Sequence, residues 1–263
     1  ALADFAERYQ RLPCLCSRGA ETASATTLGK RAALWINDLL LDLRQIEFQL
    51  DSLRLLGCRD TAGNNAALAA LFAGGCAQAR QMEQSIAEKL GFAGCYQVSG
   101  QAYSRKVDAQ ALAALGNIAA SAAKFAADLR LLAERRELAE AEPPPAPEQD
   151  GEALSGRVAV LARYIMAQAQ PALAEAAAQS LEAAPAAEPG QGLAAAFIAA
   201  DAMLRLYIYS VEGCRALPEG IAARLAEELP FIALGEIFRQ CLAQGGDKQQ
   251  LQQALLEHAR AAA

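Results

Sequence analysis

Residues 26–56 read TTLGKRAALWINDLLLDLRQIEFQLDSLRLL, and the fold class follows from this stretch. Leu34, Ile36, Leu39, Leu40, Leu43, Ile46, Phe48, Leu50 and Leu53 keep an apolar stripe at spacings of three and four, the period of a helix rather than the alternation of a strand. Thr26 and Thr27 can cap its start, because a threonine hydroxyl accepts a bond from an otherwise orphaned first-turn amide. Gly57 ends it. A helix of this length needs a long partner surface, since ordinary helices run only about 10–14 residues.

The same period continues on the C-terminal side. After a turn-rich loop at 57–65 (GCRDTAGNN), short helices are expected at 66–73 and 76–90, closed by Gly91. An extended connection follows at 91–100. A second long helical stretch spans 101–141, with Leu112, Leu115, Ile118, Phe125, Leu129 and Leu132 on its apolar side. Three consecutive prolines make 142–151 (EPPPAPEQDG) an extended linker, because proline fixes φ and removes the amide donor. Further helices are expected at 152–184 (with a kink at Pro171) and at 193–216, with a break at 185–192 between them. Others should start at Pro218, at Pro230 and at Asp247, the last preceded by Gly245 and Gly246. Alanine dominates throughout and is the best helix former. No period-two pattern persists. The expectation is an all-α protein, a long-helix bundle with no sheet larger than two short strands.

The chain has 263 residues, 54% of them hydrophobic, enough for a sizeable core. A net charge of −6 argues against nucleic acid as a partner, since a phosphate backbone demands a basic field. The seven cysteines are odd in number and scattered, which suits reduced thiols in a reducing compartment. Cys14 and Cys16 are too close for a zinc knuckle, and His258 is the only histidine, so no metal and no cofactor are expected. His258 reads as a surface or packing residue. No run of 18 apolar residues lacks charges, and no membrane span or signal peptide is expected. The first Met is Met82, which suits a processed or partial chain.

Five segments carry a family resemblance. Residues 98–108 (VSGQAYSRKVD) resemble the TGQTYSRKVD segment of eukaryotic-type adenylosuccinate lyases. Residues 26–44 are similar to that family's TTVGKR…LWxxDLxxDL stretch. ELPF at 228–231 and the glycine pair at 245–246 resemble its C-terminal helices, and 3–13 (ADFAERYQRLP) resembles the approach to its first catalytic segment. The resemblance implies the fumarase/aspartase superfamily: tetramers built on a central bundle of long helices, with each active site drawn from three subunits. It implies elimination of fumarate from a succinyl-amino nucleotide, with a base at carbon and an acid at the leaving nitrogen. It places a central long-helix domain at 1–216 and the start of a small C-terminal helical domain at 217–263. The family's N-terminal domain would lie outside these residues. By the same resemblance the compartment is cytoplasmic, with a mitochondrion or plastid as the alternative. The partners are other protein subunits, the same chain or a different one, docked along the long helices.

The family's catalytic positions fall on altered letters. The catalytic histidine corresponds to Gly19, with Arg18 and Glu21 beside it in place of Thr and Gln. The family's mobile SSxMPxKxNP loop is replaced by the 142–151 linker, and Ser155 is the one serine between Leu132 and Leu161. The approach to AFIAAD (196–201) carries Glu182 and Glu188 but no arginine over 181–190. Asp60 replaces a glycine in the substrate loop. Gln101, Tyr103, Ser104, Arg105 and Lys106 survive and read as vestigial ligand contacts. On these substitutions the chain is expected to be no enzyme but a non-catalytic scaffold subunit of a larger assembly. An active adenylosuccinate lyase is the alternative.

Overall fold

A computed structural model describes residues 1–16, 24–58, 60, 63–72, 75–100, 102–142, 153–179 and 191–262, without side chains at 191, 230, 231, 233–235 and 259–262. In chain order the elements are α1 (Leu2–Arg8), β1 (Pro13–Cys16), β2 (Ser24–Thr27), α2 (Leu28–Ser52), α3 (Ala66–Ala70), α4 (Cys76–Lys89) and α5 (Lys106–Glu134). Then come β3 (Leu138–Ala139), α6 (Leu154–Ala178), α7 (Gln191–Gly213), β4 (Arg215–Ala216), α8 (Pro218–Ala243) and α9 (Lys248–Ala262). The fold is all-α. Its strands, among the described residues, form two antiparallel pairs, β1 with β2 and β3 with β4. Each strand is four residues or fewer, too short for alternation to show in the sequence.

The chain divides into two compact units. One comprises Ala1–Ile36, Asp128–Glu142 and Ser210–Ala263. Here the sequence permits unusually close backbone approach. A side chain at Gly29 would run into the Ala6 carbonyl of α1, and one at Gly220 into the Arg136 carbonyl. Glu137 is buried and takes Arg224 Nη1 at 2.8 Å, tying α8 to the turn that ends α5. Arg31 donates to the Leu15 carbonyl and so anchors α2 on β1.

The other unit comprises Asn37–Ala127 and Pro143–Tyr209. Its core is the apolar side of α5 expected from the sequence. Leu112, Leu115, Ile118 and Phe125 are buried there, as are Leu129 and Leu132 in the part of α5 that belongs to the first unit. The Phe125 and Tyr207 rings lie 4.1 Å apart. Three polar contacts follow the α2–α5 seam: Trp35 Nε1 donates to Asp128 at 2.7 Å, Ser121 Oγ donates to Asp42 at 2.6 Å, and Lys124 pairs with Asp38. Numbers fall along α5 as they rise along α2, so the two helices are antiparallel.

Four expectations about element limits need correction. α2 ends at Ser52, not at Leu56, because the Leu55 amide bonds to the Gly94 carbonyl and the Tyr96 amide to the Leu55 carbonyl. Neighbouring chain has taken the backbone groups that would continue the helix. α5 starts at Lys106 rather than at 101 and ends at Glu134, before Arg136 at φ 55°. Helix α8 runs on through position 230, where a new helix was expected to start, while α6 continues through Pro171 as the expected helix did. A proline deletes one amide donor, and a helix held along its length by packing tolerates the loss. The linker at 142–151 and the break at 185–192 fall almost wholly outside the described residues.

Leu34, Leu40, Leu43, Phe48 and Leu50 of the apolar stripe on α2 are exposed, not covered by this chain. By length and composition alone, α7 could cross a membrane over Gly192–Gly213, which the sequence reading had not expected. Asp201 and Arg205, paired at 2.8 Å, interrupt that stretch. Each would cost about 2.5–3.5 kcal/mol at a membrane centre. Ala196, Ala200, Met203, Tyr207 and Val211 form a buried stripe along the same helix, while Phe197, Ile198, Ile208 and Tyr209 are exposed.

Candidate functional site

In the second unit, a loop and an extended segment converge before α5. The loop is 57–65, held at both ends by one buried side chain. Glu83 of α4 accepts the Cys58 amide at 2.8 Å and the Asn65 side-chain amide at 3.0 Å. Inside the loop, Asp60 accepts the Asn64 amide at 2.7 Å, and the Asp60 amide donates to the Asn64 carbonyl at 2.9 Å. Gly63 sits at φ 78°, where only glycine is unstrained, and a side chain there would strike the Ser99 carbonyl. The loop therefore packs backbone to backbone on residues 99–100. Ser99 Oγ donates to the Leu56 carbonyl at 3.4 Å on the same side.

The segment leading into α5 carries the densest polar cluster described. Tyr103 Oη lies 3.0 and 3.2 Å from the two oxygens of Asp108, and Arg105 Nη1 donates to Asp108 at 2.9 Å. Asp108 is buried, and the Arg105 guanidinium sits 5.6 Å from the Tyr103 ring centre. Burial, followed by the Asp108 carboxylate, pushes the Tyr103 phenol above its ordinary range. The Arg105 guanidinium is held still more firmly charged, first by its bond to Asp108. From the end of α6, Gln179 reaches the same segment: its amide oxygen accepts the Arg105 amide at 2.8 Å and its nitrogen donates to the Tyr103 carbonyl at 3.0 Å.

Of the residues singled out in the sequence, this cluster unites Tyr103, Ser104, Arg105 and Lys106. Ser104 and Lys106 are exposed, and Tyr103 and Arg105 are half-buried. Gly19 and Gln101 lie outside the described residues, as does most of the 142–151 linker. Ser155 is the second residue of α6 and is fully buried. His258 is exposed on α9. Among the described residues no group of three His, Cys, Asp or Glu could hold a metal. Sequence reasoning missed Glu83 and Gln179. Glu83 sits in the polar run CAQARQMEQSIAEK, where nothing marks it as buried, and Gln179 lies 74 residues from the amide it holds.

No family model matches the chain. Curated relatives do. The chain is 35% identical to the adenylosuccinate lyase of Saccharomyces cerevisiae, covering 99% of this chain and 56% of that protein. It is 32% identical to the adenylosuccinate lyase of Schistosoma mansoni, covering 100% of this chain and 57% of that one. It thus spans a little over half the length of the curated relatives it matches. Among solved structures it resembles the 3-carboxy-cis,cis-muconate lactonizing enzyme of Pseudomonas putida, with TM-score 0.72, 19% identity, and coverage of 99% of this chain and 57% of that one. A fumarate lyase from Mesorhizobium matches with TM-score 0.69, 18% identity, and coverage of 99% and 58%. At such identities the likeness shows a shared fold.

These findings overturn the expectation that the chain is no enzyme. Its named relatives are lyases, matched over nearly all of its residues. The reading of lost catalysis rested on Gly19, the 142–151 linker and 181–190, which lie almost wholly outside the described residues. An altered letter at an aligned position shows that one side chain has changed. It does not show that the acid or base is missing from a site assembled in three dimensions.

Proposed function

Starting from a chain that is a homologue of the adenylosuccinate lyases, with the fold of the fumarate lyase superfamily, we propose that it forms the central helical part of a C–N lyase releasing fumarate from an N-succinyl purine nucleotide. The observation that carries this reading is the close approach of Gly63 to residues 99–100 and of Ser99 to Leu56, beside the segment that resembles the family's TGQTYSRKVD. Elimination needs groups held still around the succinyl carboxylates while charge develops on carbon. Here Asp108 fixes Tyr103 and Arg105, and Glu83 fixes the facing loop, so Ser104 and Lys106 stand on a rigid base. We assign Gln101, Ser104 and Lys106 to ligand contact, and Tyr103 and Arg105 to the support of that segment.

The exposed apolar face of α2 supports assembly with further copies of the chain, as in superfamily members. The test is fumarate release from adenylosuccinate by the full-length protein, beside the yeast enzyme. Turnover is expected, with a loss of about a hundredfold or more in Gln101→Ala. Absence of both turnover and adenylosuccinate binding would overturn the proposal.

A further inference from the structure

We infer that Gln179 is a positioning residue for the ligand segment 103–106, an inference that rests on the functional reading above. Gln179 is the first residue beyond α6, with extended backbone at φ −62° and ψ 113°. Its side chain lies flat against the main chain of another part of the unit and makes a reciprocal pair, accepting from the Arg105 amide and donating to the Tyr103 carbonyl. These two groups flank Ser104. The carboxamide thus acts like one rung of a strand, setting the φ and ψ of the turn that presents Ser104 and Lys106.

Several facts set this contact apart from ordinary packing. Gln179 is exposed, as are Leu173, Ala174, Glu175, Ala177 and Ala178 before it, so its side chain fills no core. The bonds go to main chain and not to side chains, so they fix geometry whatever residue stands at 104. The segment needs such a clamp. It precedes α5 and lies outside any helix, so helical bonding does not hold its Tyr103 carbonyl. Only an amide can serve both bonds. A carboxylate keeps the acceptor and loses the donor, and asparagine is one methylene too short to reach both groups.

A role in positioning separates from a role in folding. The clamp acts on a preformed ligand segment, so its loss appears as weaker substrate binding. The experiment is steady-state kinetics with adenylosuccinate, together with thermal unfolding, on the wild-type full-length protein and on Gln179→Ala, Gln179→Asn and Gln179→Glu. We expect KM to rise about tenfold in the Ala and Asn variants and by a smaller factor in Gln179→Glu, with kcat changed by less than about threefold and the melting temperature unchanged. Wild-type KM in Gln179→Ala overturns the inference and leaves the functional reading standing. A fall in melting temperature that tracks the loss of activity also overturns it, since the residue would then be structural. A wild-type protein that neither turns over nor binds adenylosuccinate removes the functional reading and this inference with it.

Discussion

Helices α2 and α5 lie side by side and carry the same kind of apolar repeat, but the chain treats them differently. In α5, Leu112, Leu115, Ile118, Phe125, Leu129 and Leu132 are all buried by this chain. In α2, Leu28, Ala32 and Trp35 are buried, while Phe48 and Leu50 are 65% and 62% exposed. The α2 residues that meet α5 further along include Asp38 and Asp42, which pair with Lys124 and Ser121. So α2 turns acidic side chains toward its own neighbour and leucines away from it. Helical period reports that a face is apolar. It carries no information about which molecule covers that face.

The largest effect should come from the core side of this comparison. Phe125→Ala, at 2% exposure and stacked on Tyr207, should cost about 3–5 kcal/mol in denaturant unfolding. Leu43→Glu combined with Leu50→Glu on α2 should leave helix content intact and shift the protein toward monomer in sedimentation. If the double variant unfolds like Phe125→Ala, or if the wild type is already a stable monomer, the contrast between the helices fails.

Thiols repeat the contrast on a smaller scale. Cys214, just after α7, is 4% exposed, and burial pushes its pKa up to about 12 from 9.0. A thiol with a raised folded-state pKa stabilises the fold fully below pH 9, and that contribution is lost as pH rises towards 12. The slope between these values is about 1.4 kcal/mol per pH unit. Cys214→Ala should flatten alkaline unfolding over this window. Exposed Cys76→Ala should leave it unchanged, and equal effects from the two would erase the distinction.

The seam itself should give the smallest change. Trp35→Phe removes the indole donor to Asp128 while keeping most of the ring, and should cost about 1 kcal/mol. Urea unfolding followed by far-UV circular dichroism measures it. A cost near that of Phe125→Ala would mean that the polar contacts, not α5's buried stripe, hold the two helices together.

Much of this was legible from the sequence because it depends on neighbours along the chain. The helical class follows from local periodicity and alanine content, and the family from the contiguous segments at 26–44 and 98–108. The structure bears out the first, and the adenylosuccinate lyase relatives bear out the second. The apolar side of α5 was also legible, residue by residue, because a long helix with one apolar face and a long partner has few ways to bury it. Tertiary structure alone decided the rest. The chain leaves the helix before Leu55 because Gly94 and Tyr96, far along the sequence, claim the Leu55 backbone groups. Glu83 and Gln179 hold the 57–65 loop ends and residues 103–105 because folding brought a buried carboxylate and an exposed carboxamide against distant amides. A Glu or Gln on a helix carries no local mark of such a partner. The reading of lost catalysis from Gly19 onward was overturned by the lyase relatives and not by geometry, since those positions lie almost wholly outside the described residues. Catalysis depends on where groups converge, and convergence is a property of non-local contacts that aligned letters do not encode.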